Sequence, residues 1–69
     1  MNKYLEKIAA DLEMAEKSKQ EEDKAIVDYS DRIGKAEDPD LKGALTHARG
    51  EEKDHSSRFS KVIKKLRNE

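Results

Sequence analysis

Three residues in this 69-residue chain have the types and spacing that hold a metal ion: Glu22, Glu52 and His55. Glu52-Lys53-Asp54-His55 is a Glu-x-x-His pair, and residues three apart project from one face of a helix. Carboxylate di-iron bundles take such a pair from each of two helices and a single Glu from each of two others. This chain carries one single Glu and one Glu-x-x-His, which is half of that set. Two copies about a two-fold axis supply the whole. Carboxylates with one imidazole suit iron or manganese and tolerate zinc. With no cysteine in the chain, thiolate ligation is excluded.

Elements must bring these residues together across 30 positions. The only proline lies in Glu37-Asp38-Pro39-Asp40, where Asp38 reads as an N-cap, Pro39 as the first helical residue and Asp40 as an N-terminal charge. Gly34, just before, is placed to loosen the end of the preceding helix. Ahead of this break, Leu5, Ile8, Leu12, Ala15, Lys19, Glu22, Ile26, Tyr29 and Ile33 follow one another at spacings of three and four. Behind it, Leu41, Leu45, Ala48, Glu52, His55, Phe59, Val62 and Leu66 do the same. Such stripes predict an all-α chain, an antiparallel two-helix hairpin. Helix 1 is expected over about 3–36, the turn over 37–40 and helix 2 over about 39–67, all within one domain spanning 1–69.

Glu22, Glu52 and His55 stand where an apolar residue belongs, and a core carboxylate needs a compensating partner. With Asp38 as the apex, Glu22 lies roughly 24 Å from the turn, Glu52 roughly 21 Å and His55 roughly 26 Å along the helices. The three share one layer. A lone hairpin leaves part of each stripe uncovered, so a homodimer forming a four-helix bundle is expected. A structural polar layer that fixes helix register is the other use of such residues.

Composition removes several function classes. Only 33% of residues are hydrophobic and 45% are charged, so periodicity rather than composition argues for order. Lys+Arg (15) and Asp+Glu (16) almost cancel, which leaves no basic surplus for nucleic acid. No apolar run spans a membrane and no signal-peptide core is present; a cytoplasmic protein is expected. Without cysteines to form disulfides, a chain this short relies on a metal or a partner.

Neighbouring residues admit two uses each. Tyr29, seven residues from Glu22, is placed either to hydrogen-bond a ligand carboxylate or to pack in the core. Glu21 and Glu51 stand beside the ligands, where they guide cations inward or serve as ordinary solvated glutamates. Lys19 neutralises a carboxylate near the site or lets its stem snorkel. His47 reads as exposed or interfacial, and Met14 as a gap filler or a surface residue.

Glu21-Glu22, Ala25-Ile26 and Tyr29, then Asp38-Pro39-Asp40-Leu41, then His47-Ala48-Arg49-Gly50-Glu51-Glu52-Lys53-Asp54-His55, resemble the encapsulated ferritins. These are short relatives of rubrerythrin in the ferritin-like superfamily. The likeness covers roughly Glu21 to Ile63. It implies a ferroxidase centre formed only at a dimer interface, with Glu22, Glu52 and His55 as iron ligands. It also implies association of dimers into a larger ring, an encapsulin shell as the surrounding nanocompartment, and oxidation of Fe(II) to Fe(III) for storage or detoxification. This sequence departs from the pattern at Asp28, where the family has an aromatic residue, and at Lys24, where it has an acidic one. It corresponds to a short form without the family's C-terminal helix and shell-targeting tail. Two other functions stay open: rubrerythrin-like peroxide reduction with an outside electron donor, and a non-catalytic structural helical dimer.

Overall fold

A computed structural model describes residues 3–68. Helix α1 spans Lys3–Lys35 and helix α2 spans Pro39–Leu66. They form an antiparallel hairpin 55 Å long and 14 Å across. The reversal is tight because both helix ends are satisfied locally. Asp38 has extended backbone, φ −68° and ψ 125°, and its carboxylate accepts the amide of Leu41 at 2.8 Å. Its carbonyl accepts the amide of Lys42 at 3.0 Å. Pro39 at the first turn of α2 loses nothing there, since its missing N–H would have had no helical partner. Gly34 stays helical, and α1 runs on to Lys35.

On α1 the expected stripe and the covered face agree. Ile8, Leu12, Ala15, Lys19, Glu22, Ile26, Tyr29 and Ile33 are all at least partly covered, and Ala15 is buried. Leu5 is half-exposed, because α1 outruns α2 by five residues and its first turns have less of α2 opposite them. On α2 the covered face is turned away from the expected stripe. Val62 is 42% exposed whereas its neighbour Ile63 is 7% exposed. Leu41 is half-exposed and Ser56, absent from the stripe, is buried. Leu45, Ala48, Glu52, Phe59 and Leu66 are partly covered as expected. The physical reason is that α1 meets one edge of a broad stripe, the edge bearing Ser56 and Ile63, and leaves the other edge open.

Little apolar mass is wholly enclosed: among the described residues only Ala15 and Ile63 are buried hydrophobics. The chain exposes 5504 Å², whereas a compact monomer of this mass would expose about 4,400 Å². The excess is what a two-helix rod must show, and it lies partly on the open edge of α2.

Candidate metal centre

At mid-hairpin the helices bring Glu22, Glu52 and His55 together. One ligand atom from each lies within 4.8 Å of the other two. His55 Nδ1 is 3.5 Å from Glu22 Oε2 and 4.0 Å from Glu52 Oε2. The carboxylates sit in the seam between the helices, with side chains 23% and 24% exposed, while the imidazole stands at the rim, 47% exposed. The expectation of one layer thus corresponds to a real convergence, but His55 faces the open edge of α2 rather than the hairpin core.

The cluster has a polar deficit. Glu22 Oε2 is buried and has no hydrogen-bond partner, the one such side-chain atom among the described residues. His55 Nδ1, 3.5 Å away, makes no hydrogen bond to it. A buried carboxylate oxygen left in this state costs about 1–3 kcal/mol or more, and a cation between the three donors would remove that cost. The distances allow it. A single cation about 2.1 Å from each donor holds two of them at most about 4.2 Å apart, so movements of under about 1 Å close this group around one ion. Two carboxylates and one imidazole are a hard to borderline set that fits Fe(II), Mn(II) or Zn(II). Three ligands would leave coordination positions free on such an ion.

The flanking residues divide differently from the sequence expectations. Lys19 pairs with Asp23, Nζ to Oδ2 2.6 Å, so of its two expected uses it is the charge partner, although not of a ligand. Ser56 Oγ donates to the other oxygen of Asp23 at 2.5 Å. Asp23 is therefore held below its ordinary value of 3.8, first by the Lys19 hydrogen bond and then by that from Ser56. Neither Asp23 nor Ser56 was singled out by sequence reasoning; the only signal was their position directly after Glu22 and His55. Tyr29 packs its ring 5.4 Å from the Arg32 guanidinium, and among the described residues its hydroxyl bonds none of the three cluster residues. Glu21 and Glu51 are exposed. His47 is exposed too and pairs along its own helix with Glu51, Nε2 to Oε1 3.0 Å. Among the described residues no helix is long and apolar enough to cross a membrane.

Comparison with curated proteins and with solved structures gives no match. A protein-family model described as EncFtn-like matches residues 1–68. That match brings a ferritin-like, iron-related function to a chain whose fold and carboxylate–histidine group are compatible with it. With 68 of its residues inside the match, the chain belongs to the EncFtn-like family.

Proposed function

We propose that two copies of this hairpin pack their open α2 edges together about a two-fold axis and complete a ferroxidase centre. The substrate is Fe(II), and Glu22, Glu52 and His55 of both chains bind it. One observation carries the reading: the buried, unpartnered oxygen of Glu22 within a three-donor group whose imidazole stands at the rim, half-exposed.

The residues' own tasks follow from their placement. Glu22 and Glu52, shielded in the seam, offer negative charge in a setting that screens it less than bulk water does. That favours a bound cation and favours it more as its charge rises, so the carboxylates stabilise Fe(III) over Fe(II). Each iron gives up one electron, and dioxygen accepts these together with protons from solvent. His55 supplies a neutral nitrogen at the rim, where the partner chain meets the site. Val62 lies two turns beyond His55 along α2, and burial of its half-exposed side chain in the dimer would add apolar cover on that side of the centre. The product serves iron storage or detoxification, with an encapsulin shell in the cytoplasm as the receiving compartment.

The test is direct. Metal-free protein is mixed with Fe(II) in air and Fe(III) is followed by near-ultraviolet absorbance, for wild type and for Glu52→Ala and His55→Ala. Wild type is expected to oxidise Fe(II) well above the buffer rate and both variants to fall to it. Wild-type oxidation no faster than buffer overturns the reading. Sedimentation with and without metal tests the dimer separately, and a metal-indifferent monomer removes the shared centre.

A further inference from the structure

We infer that Asp23, Ser56 and Lys19 form a rotational clamp that aims the metal ligands, with Asp23 and Ser56 acting as positioning residues; this rests on the metal-centre reading above. Asp23 directly follows Glu22 on α1, and Ser56 directly follows His55 on α2. Consecutive residues stand about 100° apart around a helix. Each helix therefore sends one residue to the ligand cluster and the next to the clamp, and the Ser56–Asp23 hydrogen bond ties the two helices directly beside the site.

The clamp matters because the packing around it cannot do its work. Among the described residues only two apolar side chains are buried, one of them an alanine, and the rest of the seam is only partly covered, so packing resists a twist of α2 weakly. At a side-chain radius of about 5–6 Å, a rotation of about 10° moves a ligand atom by about 1 Å. Ligand distances in a filled metal site fall within about 0.2 Å of their ideal values, so a shift of this size adds to the adjustment of under about 1 Å that these side chains already have to make. A twist carrying His55 away from Glu22 would also pull Ser56 from Asp23, so the part-buried hydrogen bond opposes the motion that spoils the site.

Lys19 completes the device. It occupies the second carboxylate oxygen of Asp23, so both oxygens are engaged and Asp23 is withheld from the cation. Glu21, Glu22 and Asp23 are three successive acids, and this arrangement leaves Glu22 alone in the cluster. Among the described residues, two polar ties outside the ligand cluster also join the helices, Arg49 to Ser30 at 3.2 Å and Arg67 to Glu16 at 3.3 Å. Both are more exposed and lie away from the ligands, which makes them suitable controls.

The experiment uses full-length protein and Co(II) as the probe, with affinity read by calorimetry and coordination by visible absorption. Ser56→Ala changes no charge and is expected to weaken Co(II) binding about tenfold or more and to alter the Co(II) bands. Asp23→Asn removes the charge but keeps an acceptor for Ser56, and is expected within about threefold of wild type, as is Arg67→Ala, whose exposed tie is a weak one. If Ser56→Ala does not fold, Asp23→Leu, which has no acceptor, carries the same expectation. In metal-free protein, nuclear Overhauser contacts between Glu22 and the His55 ring should weaken in Ser56→Ala. That weakening supports the clamp even where wild type binds no Co(II), an outcome that would overturn the metal reading alone. Ser56→Ala with wild-type affinity, bands and contacts overturns the clamp. So does an equal loss in Asp23→Asn or Arg67→Ala.

Discussion

The two edges of α2 differ in kind. One edge, bearing Ser56 and Ile63, is closed against α1 and carries the buried contacts of the hairpin. The other, bearing His55 and Val62, is only half covered in the single chain: the His55 side chain is 47% exposed and Val62 is 42% exposed. The closed edge holds the protomer together; the open edge is what a second protomer would need. A helix whose apolar stripe is wider than one neighbour can cover is thus informative, because the surplus points to where further packing belongs.

Substitutions can break or sharpen this contrast. The largest effect is expected on the closed edge: Ile63→Ala should cost about 2–5 kcal/mol, read as a fall in urea midpoint by circular dichroism, with any dependence of the midpoint on protein concentration retained. On the open edge, Val62→Glu should lose the dimer in sedimentation and raise its dissociation constant by about thirtyfold, roughly 2 kcal/mol, because a charge would be buried at the interface. If wild type pairs as proposed, its thermal midpoint should rise with protein concentration, and that of Val62→Glu should not. Equal oligomer size in Val62→Glu and wild type would remove the distinction between the edges. A smaller change is expected for Arg67→Ala, whose ion pair with Glu16 is half-exposed: under about 1 kcal/mol in the same denaturation measurement.

The smallest effect is set by pH and again belongs to the closed edge. Asp23 is held below its ordinary value of 3.8, so folding favours its ionised form. Its contribution is complete above the unfolded value and is lost as pH falls through the lower folded one. Thermal midpoints of wild type and Asp23→Asn should therefore converge as pH is lowered from about 5 toward 2, since the ordinary carboxylate lies near 3.9. A constant gap over that range would show that the Asp23 contacts contribute no ionisation-linked stability.

Much of this architecture was legible in residue spacing. Asp38-Pro39-Asp40 marked the reversal because capping is a local matter of side chain and backbone. The α1 stripe predicted the face that α1 covers, since nearly all of its apolar positions point at one neighbour. The α2 stripe did not tell which of its positions a single neighbour would leave half-exposed, Val62 and Leu41 among them, and it passed over Ile63 and Ser56. Apolar periodicity reports that a face will be buried, but not which neighbour will bury it. Ser56 was also invisible to a hydrophobic pattern, because a small hydroxyl is enclosed only when a matching acceptor such as Asp23 arrives from another helix.

By itself the sequence determined two helices, their turn and the common height of Glu22, Glu52 and His55. These follow from a fixed rise per residue and from local capping, and require no knowledge of packing. The rotation of α2 about its own axis was decided only by tertiary structure. It selected Ser56 and Ile63 for the inside and left His55 and Val62 at the rim. That choice depends on how particular side chains from two helices fit and bond across the seam, a fit that no spacing within either helix encodes.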